Sequence, residues 1–534
     1  MRILLLLVVL AMAWAQFPAV CNTQDSLSTK TCCPNNCGST GTCVSIRKVV
    51  ERSWKAVNAT VVKFLQGESG RPQDVRYQRP LKIFERVCSC NEGWGGYDCS
   101  HCDFGFITNA VGECVKRNAD QLLVRRNFKN LSKQERLNYV RLVDAAKNQE
   151  AKEWAIISKT PEEPNGHYEL QNVTTYDMIE FTHFLSIREK VSPFCESGLK
   201  IDEFTQITFA HKSTPFLPWH RYFTLQYEAE LCQIGERLGI SGFTLPYWDW
   251  APADTCLLFT HELFGVPEYS DELVNVTGAL FEKGNWPVVC DAFYRAQAEK
   301  QNITVSATEC AKERTLCDVE DDRKHNRPLQ RGFWTEPIRG LSLPDDEAVA
   351  MTLIPDQFEG TYGFARRLEG SVAQCTGEPV KCILQHSSYP NPSIHAAVHA
   401  YIGGQLSVGG AACNDPLFFL HHGNVDRIFE RWLRKYNGDP PSYQPVSGGS
   451  PGHNLNDYIV PIFPLKTIAD VYKESKFLGY TYDELPWSIP KTDYQIGCPS
   501  EHCNKRGYQP TVLVNSTSAD CVRIRMDQDL NQEA

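Results

Sequence analysis

The chain has 534 residues, 42% of them hydrophobic and 22% charged, an ordinary composition for a globular protein with a sizeable core, and too long for one average domain. Its net charge is −10 and no cluster of lysine or arginine dominates, which argues against nucleic acid as a partner and is read as solubility. Met1-Arg2, an apolar run from Ile3 to Ala13 and the small-x-small Ala13-Trp14-Ala15 read as a signal peptide over 1–15, with the mature chain beginning near Gln16. No later stretch reaches about eighteen apolar residues, so no transmembrane helix is expected.

Ten of the 22 cysteines fall between Cys21 and Cys114. In a secreted chain they predict a module over 16–117 held by disulfides more than by a core, with the pairing left open. Within it, Cys88-Ser-Cys90-Asn-Glu-Gly-Trp-Gly-Gly-Tyr-Asp-Cys99 resembles the end of an EGF-like repeat. Six sequons, at Asn58, Asn130, Asn172, Asn275, Asn302 and Asn515, predict glycosylation at some of these sites.

From about Asn118 cysteines thin out and helical periodicity appears. Thr174 and Asp177 read as a capping box opening a helix through Ile179, His183, Phe184 and Ile187. Pro218 is placed at the first position of a second helix, through Trp219, Phe223, Tyr227 and Leu231, which ends near Gly239. A third helix carries His395 and His399. A fourth opens at Asn414-Asp415-Pro416 and continues through Phe419, His422, Ile428 and Trp432. Histidine-bearing helices of this kind predict a bundle with its ligands pointing inward. The stretch 485–534 has little periodicity and reads as a C-terminal extension.

His395 and His399 stand four apart, so on a helix both imidazoles face one side, a turn apart. His422 supplies a third ring from the next helix. His183, His211 and His220 form a second trio. Three imidazoles with positions left open suit a redox metal that binds a small molecule, and imidazole-only sites admit copper, zinc, iron or nickel. A structural zinc site would be closed by a fourth ligand.

Asp415-Pro416-x-Phe418-Phe419-x-x-His422-x-x-x-Asp426, together with the trio His183, His211 and His220, resembles the two copper motifs of the tyrosinase family. Leu122-Leu-Val-Arg-Arg-Asn127, Thr244-Leu-Pro-Tyr-Trp-Asp-Trp250 and Gly479-Tyr-Thr-Tyr482 look like further landmarks, and the order of parts resembles the animal pigment-forming branch. The resemblance implies a mainly α fold: a four-helix-bundle dicopper core over 118–484 behind the EGF-like module. It also implies two copper ions, three histidines to each, and dioxygen as co-substrate. The expected reaction is oxidation of phenols and o-diphenols to o-quinones, in a chain that is secreted or lodged in the lumen of a secretory or melanosome-like compartment. Glu369 matches a glutamate that holds a water near the second copper and helps to deprotonate an incoming phenol. Asp426 and Arg221 are placed as a pair tying the two halves together, and His421 as a neighbour of the ligand His422. His421 also separates this chain from non-copper relatives, which carry an apolar residue there.

Ala396 departs from the pattern, since many phenol-hydroxylating members have asparagine after the first ligand of the second site. Phe209 stands where some branches carry a cysteine bonded to the histidine ring, so that thioether cannot form. Ser371, two residues past Glu369, is small and predicts an open mouth. The alternatives are a catechol-only oxidase, a zinc-loaded isomerase relative, a hemocyanin-like dioxygen carrier, and a matrix protein that has lost catalysis.

Overall fold

The computed structural model describes residues 17–18, 21, 29, 31–45, 86–96, 98–149, 151, 154–159, 168–171, 173–186, 209–211, 214–251, 257–265, 274–282, 285–290, 323–332, 343–358, 363–369, 393–437, 440, 443, 452–459, 462 and 466–488. The expected signal peptide, Ser371, Asn58, Asn172, Asn302, Asn515 and the extension beyond 488 lie outside the described residues. Asn130 and Asn275 are both exposed.

The N-terminal cysteine-rich region is built from short strands. Gly41–Ser45 pairs antiparallel with Arg86–Cys90, and Phe106–Thr108 forms a hairpin with Cys114–Lys116. Five disulfides close it: Cys21–Cys32, Cys33–Cys43, Cys37–Cys88, Cys90–Cys99 and Cys102–Cys114. These bridges stand in for the apolar core that so few residues cannot build.

The core that follows is mainly helical. Helix α1 (Lys133–Asn148) opens on a capping box between Ser132 and Glu135, and α2 (Thr175–Ser186) opens where Thr174 Oγ1 accepts from the Asp177 N–H at 3.1 Å. Each such cap contributes about 1 kcal/mol. Helix α3 (Phe216–Leu238) begins two residues before Pro218, so Pro218 is its third residue and not its first. The first four N–H groups of a helix have no intrahelical acceptor, so the missing donor costs nothing there. Gly239 ends α3 with φ of 71°, the left-handed conformation that glycine adopts without strain. The short helices α4 (Asp346–Thr352) and α5 (Phe364–Glu369) precede α6 (Ile394–Ile402) and α7 (Leu417–Arg434). Ser393 Oγ caps α6 through the Ala396 N–H at 3.2 Å, and Asp415 Oδ1 accepts from Leu417 N–H at 3.0 Å to open α7.

Helix α1 packs on α2 and α3, α3 on α7, and α5 on α6. The seam between α3 and α7 is filled by buried aromatics, with Tyr227 stacked on Phe419 at 3.5 Å between ring centroids. One parallel strand pair closes the core, Leu123–Arg125 against Tyr480–Tyr482. Two cysteines of the core, Cys232 and Cys413, are free thiols, so not every cysteine beyond Cys114 is in a disulfide.

Candidate dinuclear metal centre

Helices α2, α3, α6 and α7 converge on two histidine groups. His183 comes from α2, His220 from the first turns of α3, and His211 from the bend just before α3. One ring nitrogen of each lies within 4.8 Å of the others. His395 and His399 from α6 and His421 and His422 from α7 form a second group on the same criterion. The two groups abut: the rings of His220 and His422 are 4.3 Å apart and nearly parallel, at 10°. Phe216 wedges between them, 4.6 Å from His220 and 4.7 Å from His395. Phe418 lies 4.8 Å from His183 and 4.1 Å from His422.

These rings are set up as metal ligands. His220 Nδ1 donates to the Phe216 carbonyl at 2.8 Å and His399 Nδ1 to the Leu406 carbonyl at 2.6 Å. A carbonyl only accepts, so each Nδ1 carries the proton and each Nε2 presents its lone pair to the interior. His395 Nε2 and His399 Nε2 face one another at 2.9 Å. Two nitrogens bound at about 2.0–2.1 Å and at right angles on one ion would be about that far apart. Both ring nitrogens of His183 and His422, and Nε2 of His220, are buried without a hydrogen-bond partner among the described residues. Buried polar atoms left in that state are costly unless something binds them. The donor set therefore fits a pair of metal ions.

The electrostatics agree. Burial pushes His183, His395, His421 and His422 well below the ordinary imidazole value, with neighbouring histidines adding to the effect. Burial likewise lowers His220 to about 3 and His399 to about 4. Neutral imidazole is the form that binds metal. Unfolded, these rings titrate near 6.5. Below that pH the unfolded chain takes up protons that the folded chain refuses, so the metal-free fold loses stability as pH falls. The denaturation midpoint of the metal-free protein is expected to hold steady above pH 7 and to fall steadily between about 6.5 and 4; a midpoint flat across that window would contradict the burial of these rings.

The histidines are held from behind by buried ion pairs. Arg221, next to His220, meets Asp426 on α7 at 2.5 Å and Glu430 at 3.2 Å, the contact expected between the two halves. Arg125, which the sequence reading passes over inside a longer landmark, reaches Asp426 at 3.2 Å and Glu228 at 2.5 Å. Tyr480 and Tyr482 each donate to Asp426 at 2.6 Å. Burial alone would raise the Asp426 carboxyl; the two guanidinium groups and two hydroxyls outweigh it and hold the group below its ordinary value. On the far side, Lys147 of α1 reaches Asp177 at 2.8 Å and Glu180 at 3.1 Å, fastening α2 one turn before His183. Arg331 grips Asp415 through two hydrogen bonds, at 2.6 and 2.7 Å, at the entry to α7.

Glu369, at the end of α5, is buried. Ser393 Oγ donates to its carbonyl at 2.6 Å while capping α6, so Glu369 is tied to the helix that bears His395 and His399. Ala396 is exposed. Phe209 is buried, its N–H bonded to the Ser186 carbonyl at 2.8 Å. His421 accepts from Trp250 Nε1 at 3.1 Å.

A family model described as the common central domain of tyrosinase matches residues 173–435. The chain is 30% identical over 481 residues to a tyrosinase of Oryzias latipes, covering 88% of this chain and 81% of that one. It is 28% identical over 512 residues to a 5,6-dihydroxyindole-2-carboxylic acid oxidase of Homo sapiens, covering 91% and 84%. A solved polyphenol oxidase from Thermothelomyces thermophila aligns with a TM-score of 0.42 at 20% identity, over 69% of this chain and 90% of that one. The chain belongs to the tyrosinase family. It is an oxidoreductase of that family with two histidine trios, consistent with a dinuclear type-3 copper site. No helix among the described residues is long and apolar enough to cross a membrane.

Proposed function

We propose that the protein oxidises phenols and o-diphenols to o-quinones with dioxygen, on two copper ions held by His183, His211 and His220 and by His395, His399 and His422. The observation that carries this reading is the pair of abutting histidine groups, in which both ring nitrogens of His183 and His422 and Nε2 of His220 are buried without a partner among the described residues. A bound copper pair supplies the two-electron exchange with dioxygen. The protein supplies placement. Main-chain carbonyls orient His220 and His399, and the Arg221–Asp426 contact keeps α3 and α7 in register. Glu369 is the group for taking the phenolic proton, directly or through a water. One phenol and one dioxygen give one o-quinone and one water; two o-diphenols and one dioxygen give two o-quinones and two waters.

A second reading, oxidation of o-diphenols alone, is favoured by Ala396. A methyl group cannot hydrogen-bond the water that Glu369 would use, and the hydroxylation of monophenols depends more on that proton transfer. The test is purified, copper-loaded protein assayed with L-tyrosine and L-DOPA in parallel, alongside Ala396→Asn. On the broader reading the parent turns over both substrates and the variant gains little. On the narrower one the parent oxidises L-DOPA only, and Ala396→Asn raises hydroxylation of L-tyrosine by about tenfold or more. Two bound coppers without turnover on either would overturn both, in favour of a dioxygen carrier; bound zinc with quinone isomerisation would favour the isomerase.

The compartment follows as part of the same proposal. The five disulfides of the cysteine-rich region form and persist in an oxidising space, which supports secretion or residence in a secretory or melanosome-like lumen. Exposed Asn130 and Asn275 are the described sequons open to glycosylation.

A further inference from the structure

We propose that His421 is a hydrogen-bond donor to the phenolate oxygen of a bound substrate, held in that role by Trp250, and that it is not a metal ligand. Two adjacent histidines of α7, His421 and His422, enter the second group, and the ring contacts alone do not tell them apart. Trp250 Nε1 lies 3.1 Å from His421 Nδ1. An indole nitrogen only donates, so Nδ1 must present its lone pair. The ring is then neutral with its proton on Nε2, and a protonated Nε2 has no lone pair to give a metal. His422 has no such restraint, since neither of its nitrogens has a partner among the described residues.

That leaves the Nε2–H of His421 as a fully buried donor with no acceptor among the described residues. A donor in that state is costly unless a ligand completes it. Its ring stacks on His395 at 5.2 Å and 18°, and stands 4.8 Å from His399 and 5.0 Å from His422. The donor is thus beside whatever oxygen is held at the second trio. A hydrogen bond to an anionic oxygen is about twice as strong as a neutral one, so the arrangement favours phenolate over phenol and helps a ring enter oxygen first. Trp250 acts through His421: by fixing the tautomer it decides whether the second site has three nitrogen ligands or four.

This inference rests on the reading of the six other histidines as copper ligands. Its test uses the copper-loaded full chain, with benzoate as the probe: an aromatic ring carrying an anionic oxygen. Copper per chain and benzoate affinity are measured for the parent, His421→Phe, His421→Gln, Trp250→Phe and the Phe/Phe double variant. The expected result is two coppers per chain throughout. His421→Phe and Trp250→Phe should bind benzoate about tenfold to a hundredfold more weakly, and the double variant no more weakly than His421→Phe. His421→Gln, which keeps an N–H, should restore most of the affinity. Loss of one copper in His421→Phe would make His421 a ligand and overturn the proposal, as would undiminished benzoate binding in that variant. A parent that fails to bind two coppers would overturn the reading beneath it instead, and this proposal with it.

Discussion

Asp426→Ala is expected to cost about 3–5 kcal/mol of folding stability, seen as a large drop in the urea midpoint of the metal-free protein. Asp426 is a carboxylate shared by two fully buried guanidinium groups, at 2.5 Å from Arg221 and 3.2 Å from Arg125. Removing it leaves Arg221 with Glu430 alone and Arg125 with Glu228 alone, breaks the link that joins the two guanidinium groups through one carboxylate, and takes from Tyr480 the acceptor of its hydroxyl, all where burial excludes water. Asp426→Asn keeps an acceptor of similar shape and loses only the charge, so it should fall between the parent and alanine. The pairing with Arg221 is separately measurable: a double-mutant cycle over Arg221 and Asp426 should show strong coupling, and additivity of the two losses would mean that the contact does not brace α3 against α7.

His183→Ala should do the opposite kind of damage. Its ring is fully buried and makes no hydrogen bond through either nitrogen to a described residue, so the metal-free fold loses packing but no polar partner. Stability without metal should change by much less than in Asp426→Ala. Copper should fall from two to one per chain, and o-quinone formation from L-DOPA by at least about a hundredfold, since even partners that merely orient a metal ligand are worth about ten- to a hundredfold. Elemental analysis and the quinone absorbance read the two quantities independently. Full copper with full turnover in this variant would remove His183 from the ligand set.

The pair of variants also separates what was legible in the sequence from what was not. The histidines were legible because their pattern is local: His395 and His399 are one helical turn apart, and His422 sits in a long, specific run after Asp415-Pro416. The helices that carry them announce themselves through Thr174, Gly239 and Asp415, whose roles depend on neighbours a few residues away. The start of α3 shows the limit of that reasoning. A proline suits any place in a first turn, so Pro218 gives the turn but not the residue. The brace behind the site is less readable. Arg221 with Asp426 was within reach because both adjoin copper motifs, but Arg125 is 301 residues from Asp426 and nothing in its own segment reports the distant partner. The same holds for Trp250, whose indole meets His421 across 171 residues, and for Lys147, which stands four residues past Val143 on the buried face of α1 but whose partners Asp177 and Glu180 no local rule names. The disulfide pairing is of the same kind, since ten cysteines close together admit many pairings and only the fold selects one.

The parallel pairing of Leu123–Arg125 with Tyr480–Tyr482 has a consequence for how the protein is made. Arg125 and Tyr482 are 357 residues apart, yet they meet in one strand pair and share Asp426. At about 5–20 residues per second, a ribosome needs roughly 20–70 s to synthesise the stretch between them. Throughout that interval the first strand lacks the edge it pairs with; Glu228 is made 103 residues after Arg125 and Asp426 only 301 residues after it, so the nascent core stays open while the histidines are added one after another. Closure of the core therefore waits until Tyr480–Tyr482 has been made, and the interval before it is when a chaperone or a copper donor would have the histidines within reach.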